Sequence, residues 1–362
     1  MKPVRVLVAE DSELFAETIV EILESDRSFE VCGVARDGRE AVRMAETARP
    51  DVILLDVRMP AMDGLQAIEA IMSRRPTPIL VMTADPAGKT GELSFEALRR
   101  GALDLVPKPT SWAGTPAEQE DLRQRLHALS RIPVVRRRAD ATTELVPTRL
   151  KQDAKKPLPA PPQPVGPSNL RALGLVSSTG GPPVLAKILR GLPAEFPFAI
   201  VIVQHLSDGF CGRFASWLGQ NTALTVEVAR DRMLLRPGLV VIAPDRAHVL
   251  FEGRLTLRLE ASPPLHGHRP SGTMMLQSMA RAFGRQAIGG VLTGMGEDGA
   301  QGLLEIHRMQ GFTFVQDEAS STVAGMPNAA LALGATKRVL SPQGIVHELL
   351  KLAQTGSTGV AL

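Results

Sequence analysis

Short apolar runs alternate with segments of helical period in two stretches of the chain. In the first, apolar runs at 4–8, 31–34, 52–55, 78–82 and 103–106 are separated by helical patterns at 13–24, 38–47, 64–74 and 93–100. Near-continuous apolar strands joined by helices predict a five-unit βα domain with a parallel sheet covered on both faces. The alternation resumes after Leu170 with runs at 172–176, 199–203, 239–243, 290–292 and 312–315, which predict a second doubly wound α/β domain. Inside it, Val249-Leu-Phe251 and Leu255-Thr-Leu-Arg-Leu259, separated by Glu252-Gly-Arg254, predict an inserted hairpin. Between the two domains lie Arg136-Arg-Arg138, Lys151 and Lys155-Lys156, followed by prolines crowding 157–167, a composition of extended, solvated chain. The expected organisation is a domain over 1–127, a basic, proline-rich linker over 128–168 and a second domain over 169–357.

Composition narrows the class. A length of 362 residues, 44% hydrophobic and 22% charged, suits two soluble cores. The net charge of +3 is small for this length and points away from nucleic acid. Positive charge in the linker reads first as solubility, with an acidic partner or the negative inner-leaflet surface as the other reading. Cys32 and Cys211 offer neither a disulfide framework nor a zinc spacing, which fits a reducing cytoplasm. No apolar stretch reaches bilayer-spanning length, so neither export nor membrane insertion is expected.

Ligands of a doubly wound sheet gather beyond the carboxyl ends of its strands. In the first domain those ends carry Glu10-Asp11, Asp56, Thr83 and Lys108. Crowded carboxylates repel unless a hard cation sits among them, and Mg²⁺ with oxygen ligands fits. Asp56 can then attack a phosphoryl group whose oxygens meet the metal, the Lys108 ammonium and the Thr83 hydroxyl. A lone Asp at a strand end is commonly a turn residue. Here Met59-Pro60 and Asp63-Gly64 follow Asp56, and Lys108-Pro109 follows strand five. This joint pattern resembles the receiver domain of two-component response regulators over 3–126. The resemblance implies Asp56 as the phosphorylation site and Glu10, Asp11, Asp56 and the Arg58 backbone carbonyl as Mg²⁺ ligands. It also implies Thr83 and Lys108 as phosphoryl-binding groups, a cis Lys108–Pro109 bond and a histidine kinase as phosphodonor. Leu105 stands where many receivers carry a Phe or Tyr that moves with the threonine, so the signal is expected to travel by another packing change.

The second domain holds a different chemistry. Leu175-Val-Ser-Ser-Thr-Gly-Gly-Pro-Pro183 places two hydroxyls at a strand end, before glycines and prolines that suit a helix start. His205 follows the strand ending in Gln204, and Asp298 follows Val291-Leu-Thr-Gly-Met-Gly-Glu297, so serine, histidine and aspartate meet at one sheet edge. That is the set for nucleophile, base and orienter. Singly, each residue reads as a cap, a structural histidine or a turn. His266 and His268 also compete as the base on spacing alone, and their HxH pair suits a metal but lacks partnering ligands.

Ser177-Ser178-Thr-Gly-Gly, Gln204-His205, His268-Arg-Pro-Ser271, Leu292-Thr-Gly-Met-Gly-Glu-Asp-Gly-Ala300 and Gln316-Asp-Glu-Ala-Ser320 with Gly325-Met-Pro327 resemble, in order and spacing, the catalytic domain of chemotaxis protein-glutamate methylesterases. The resemblance covers about 170–355 and implies Ser178 as nucleophile, His205 as base and Asp298 as orienter, with Thr179 and Met295 N–H groups as oxyanion donors. Ser177, at a position often held by alanine, reads as a small packing residue. Glu297 stands where Asn is common, and its carboxylate is expected to raise a pKa beside Asp298. The implied function is phosphorylation-activated hydrolysis of glutamate methyl esters on chemoreceptors, with deamidation of glutamines by the same steps and no cofactor for the esterase. Two other readings stay open: a phospho-dependent adaptor with an idle esterase domain, and the same esterase serving a non-motility array. A transcriptional output is disfavoured, since no helix-turn-helix is recognisable.

Overall fold

The computed structural model describes residues 2–84, 89–108, 114–132, 134 and 171–355. The part of the expected linker over 135–168 and the Lys108–Pro109 bond lie outside the described residues.

The first body contains β1 (Val4–Ala9), α1 (Glu13–Glu24), β2 (Phe29–Ala35), α2 (Gly38–Ala48), β3 (Val52–Asp56), α3 (Gly64–Arg74), β4 (Ile79–Thr83), α4 (Lys89–Arg100), β5 (Asp104–Pro107) and α5 (Pro116–Leu129). Its sheet is parallel, in the order β2-β1-β3-β4-β5. The apolar runs of β1, β3 and β4 are buried on both faces because helices cover each side. Asp37 caps α2 and Asp63 caps α3, each accepting a backbone N–H from the first turn. α5 starts at a Thr115/Glu118 capping box and continues past the expected boundary at 127, because Leu126 and Leu129 both enter the core.

The second body runs β6 (Arg171–Ser177), α6 (Gly181–Arg190), β7 (Phe198–Gln204), α7 (Cys211–Gly219), β8 (Thr225–Val228), β9 (Met233–Leu234), β10 (Leu239–Ile242), β11 (His248–Glu252), β12 (Thr256–Glu260), α8 (Gly272–Phe283), β13 (Ala287–Val291), α9 (Ala300–Arg308), β14 (Phe312–Gln316), α10 (Gly325–Ala332), β15 (Val339–Leu340) and α11 (Pro342–Thr355). A parallel sheet has the order β15-β14-β13-β6-β7-β10-β8. The expected hairpin is β11-β12, antiparallel from His248↔Glu260 to Glu252↔Thr256, with β9 added at its edge. The strands the periodicity does not predict, β8, β9 and β15, are short and largely unburied, so they lack the apolar run that marks the others.

The two bodies share a continuous apolar core. Phe95 of α4 is fully buried and lies 5.7 Å from Phe214 and 5.6 Å from Trp217, both stacked, and 6.1 Å edge-on from Phe210. Such rings add specific contact energy to the area they bury. Phe95→Ala is expected to cost about 3–5 kcal/mol and to split one calorimetric unfolding transition into two, each domain melting separately. An unchanged melting profile would show that the aromatic cluster does not couple the domains.

Candidate active site

Ser178, His205 and Asp298 follow β6, β7 and β13, which are adjacent in the sheet order β13-β6-β7. Parallel strands end at one edge, so three residues distant in sequence meet there. His205 Nε2 donates to Asp298 Oδ2 over 2.8 Å, and His205 Nδ1 is buried with no hydrogen-bond partner among the described residues. Asp298 also accepts from Ser271 Oγ at 2.9 Å and from the N–H groups of Gly272 and Thr273 at 2.6 and 2.9 Å. Those donors form the N-terminus of α8, where the helix dipole favours negative charge. Burial alone would push the Asp298 carboxyl up; the hydrogen bond and charge of His205, with the Thr273 and Gly272 N–H groups, hold it well below the usual carboxylate range. The expectation that Glu297 raises a pKa there is therefore corrected. Glu297 is exposed, and the hydrogen bond and charge of His205, joined by the α8 N–H groups, outweigh burial at Asp298.

Gln204 holds the ends of β6 and β7 together. Its Nε2 donates to the Ser178 and His205 carbonyls at 2.9 and 3.0 Å, and its Oε1 accepts from Ser177 Oγ at 2.6 Å. Ser177 is thus a hydrogen-bonding member of the site rather than a packing residue, a second correction. The backbone adds His205 N–H to the Ser177 carbonyl at 2.9 Å and Ser178 N–H to the Thr293 carbonyl at 3.0 Å. Thr293 N–H donates to Gln316 Oε1, and Thr293 Oγ1 donates to the Thr179 carbonyl, both at 2.9 Å. Sequence reasoning gave Gln204, Ser271, Thr293 and Gln316 no role, although each lies inside a quoted motif. A polar residue ending an apolar strand was the available signal for Gln204 and Gln316.

Thr179 and Met295 sit at the two turns that flank Ser178. Gly180, with φ +77°, follows Thr179 because any Cβ there would collide with Thr322. Gly294 donates its N–H to the Val323 carbonyl at 2.8 Å and accepts from Met326 N–H at 3.0 Å, which fixes the turn carrying Met295. Of the competing histidines, His266 is exposed, whereas His268 stacks on His205 with ring centroids 4.1 Å apart.

At the other sheet edge, ligand oxygens of Glu10, Asp11 and Asp56 can lie within 4.8 Å of one another. An all-oxygen, all-carboxylate set suits a small hard cation such as Mg²⁺. Lys108 Nζ lies 2.7 Å from Asp56 Oδ2 and 2.9 Å from Glu10 Oε1, and Arg58 N–H donates to Asp56 Oδ1 at 3.1 Å. Burial pushes the Glu10 carboxyl up against the opposing pull of Lys108. Thr83 Oγ1, at the end of the neighbouring strand, is buried without a partner among the described residues.

Known proteins match both halves. The sequence model described as CheB methylesterase matches residues 173–349, and that described as response regulator receiver domain matches 6–114. Protein-glutamate methylesterase/protein-glutamine glutaminase 2 of Anaeromyxobacter dehalogenans is 42% identical over 353 residues, 98% of each chain. The corresponding enzyme 3 of Myxococcus xanthus is 42% identical over 92% of this chain and 90% of its own. The crystal structure of the Thermotoga maritima CheB methylesterase catalytic domain is 33% identical, covers 50% of this chain and 98% of that one, and gives a TM-score of 0.49. With relatives aligned along almost its whole length, the chain belongs to the receiver-linked protein-glutamate methylesterase/protein-glutamine glutaminase family, CheB.

Proposed function

We propose that the chain hydrolyses glutamate methyl esters on chemoreceptors with a Ser178-His205-Asp298 triad, under the control of phosphorylation at Asp56. The observation that carries this reading is the His205 ring, bound to Asp298 through Nε2 with a buried, partnerless Nδ1. That arrangement leaves the Nδ1 lone pair to take the proton of Ser178 Oγ as the oxygen attacks the ester carbonyl. Negative charge developing on the carbonyl oxygen falls to the N–H groups of Thr179 and Met295. His205 returns its proton to the leaving methoxide, methanol departs, and an acyl-enzyme remains. Water then attacks the acyl carbon as His205 takes its proton, His205 passes that proton to Ser178 Oγ as the acyl carbon–Oγ bond breaks, and the released glutamic acid ionises to the carboxylate. A glutamine amide follows the same course, with ammonia as the leaving group, which fits the relatives' second named activity.

In the receiver, Asp56 Oδ attacks the phosphorus of a kinase phosphohistidine, and the bond from phosphorus to the histidine nitrogen breaks. Glu10, Asp11, Asp56 and the Arg58 carbonyl would hold Mg²⁺, which when bound neutralises charge on the phosphoryl oxygens. Lys108 exchanges part of its pairing with Asp56 for a phosphoryl oxygen, and the Thr83 hydroxyl donates to another. A cleft of about 920 Å³ lies between α5 and the 318–328 segment, with His127 on one wall and Met295 and Thr322 on the other. The receiver thereby narrows the approach to the esterase, and a shift of a few kcal/mol in the domain contact suffices to change access strongly. No described helix is long and apolar enough to cross a membrane.

Receptor membranes carrying methyl-labelled glutamates provide the test. Ser178→Ala is expected to lower methanol release by about 10⁴-fold or more, and an active Ser178→Ala overturns the esterase assignment. Asp56→Ala should keep the basal rate and lose the stimulation by Mg²⁺ with a small phosphodonor; retained stimulation places the switch elsewhere. Asp298→Asn is expected to lose about 10⁴-fold in turnover. It also bears on stability: the folded state keeps Asp298 ionised at pH values where the unfolded chain protonates it, so its contribution is complete near neutrality and fades as acid titrates the folded carboxyl. Acid unfolding curves of wild type and Asp298→Asn should therefore converge as the pH falls, and curves that stay parallel would contradict this.

A further inference from the structure

We propose that His268 is a positioning residue for the esterase reaction, fixing the plane of the His205 ring by face-to-face stacking and supporting the positive charge that forms on it. The proposal rests on the reading of His205 as the base. Among the described residues His205 is hydrogen-bonded at one edge only, Nε2 to Asp298 at 2.8 Å, while Nδ1 has no partner. One bond at one edge leaves the ring able to pivot about it, and a pivot swings Nδ1 away from the serine. The His268 ring lies against the His205 face with centroids 4.1 Å apart and planes 5° from parallel, which closes that freedom.

His268 is itself held by short-range structure. Leu265 and His268 exchange two backbone hydrogen bonds of 3.1 and 3.0 Å across a tight turn whose central residues, His266 and Gly267, have φ of 50° and 83°. Three residues further on, Ser271, Gly272 and Thr273 bind the Asp298 carboxylate. One short stretch of chain thus sets both the edge partner and the face partner of His205. Among the described residues the His268 ring makes no hydrogen bond, so its face is what it offers to the site.

The charged and titratable groups facing His268 are His205 and Asp298, His266 in its own turn, and Asp121 from α5 of the receiver. Burial, and then the proximity of His205, push the His268 imidazole down to about 4. The ring is neutral near pH 7, and a neutral aromatic ring attracts a cation forming against its face where a second cation would repel it.

The test compares His268→Phe, His268→Leu, His268→Ala and His268→Lys in the full chain, with His205→Gln and thermal melting as controls. Two readouts serve: methanol release from methyl-labelled receptor membranes, and labelling of Ser178 by a serine-directed fluorophosphonate. In the second, Oγ bonds to phosphorus, fluoride leaves and His205 takes the proton. His268→Ala and His268→Leu are expected to lose roughly 10- to 100-fold in kcat with KM near wild type, and Ser178 labelling should slow in parallel. His268→Phe should recover most of the rate, and His268→Lys should fall below Ala. Wild-type kcat in the Leu variant, or a Phe variant no better than Leu, overturns the proposal, the latter by making His268 a proton carrier. His205→Gln with wild-type rates would instead overturn the base assignment beneath it.

Discussion

One buried carboxylate organises the catalytic domain. Asp298 is 4% exposed, and an ionised group at that depth would cost several kcal/mol without compensation. Compensation comes from the first turn of α8 and from His205, and both requirements reach into the fold. The helix must bring its N-terminus against the sheet edge, so Gly272 lies where any Cβ would collide with Val176 of β6, the strand that ends at Ser178. The loop after β13 must return toward that terminus, which it does with Gly299 N–H donating to Thr273 Oγ1 at 2.8 Å. A single charge thereby couples β6, β7, β13 and α8, and the geometry of the serine follows from it.

Around that charge the polar groups act as ties between strand ends. Gln204 joins the carbonyls of Ser178 and His205, while Thr293 and Gln316 join the neighbouring strand ends. Gln204 and Gln316 end their strands and Thr293 lies two residues past β13, where the ladder stops and backbone groups need other partners. Buried networks of this kind are favourable only when each member is satisfied; among the described residues of this site, His205 Nδ1 and Thr179 Oγ1 are left without a partner, and of the two only the imidazole nitrogen can serve as a base.

The receiver is attached through an apolar contact. Phe95 inserts from α4 between α7 and its neighbours, and Phe210, one of its partners, precedes α7 only five residues after His205. α4 also follows the strand that ends at Thr83, so one helix lies between the Thr83 hydroxyl and the loop that carries His205. Packed rings have few alternative arrangements, which gives a small shift of α4 a defined consequence.

Strand periods, helix starts and the chemistry of strand ends are local properties, and the sequence by itself determined them. They sufficed for the two parallel sheets, the β11-β12 hairpin, the meeting of Ser178, His205 and Asp298 at one edge, and the acidic cluster of Glu10, Asp11 and Asp56. Strands such as β8 and β15 stayed hidden because their residues are half exposed and carry no long apolar run. Only the tertiary structure decided which imidazole nitrogen faces Asp298, that Ser177 bonds Gln204, that His268 rather than His266 lies on His205, and that Asp298 is held ionised despite Glu297. Each of these depends on distance and orientation between residues remote in the chain, and on burial that a neighbouring element creates. Periodicity along one segment carries no record of either.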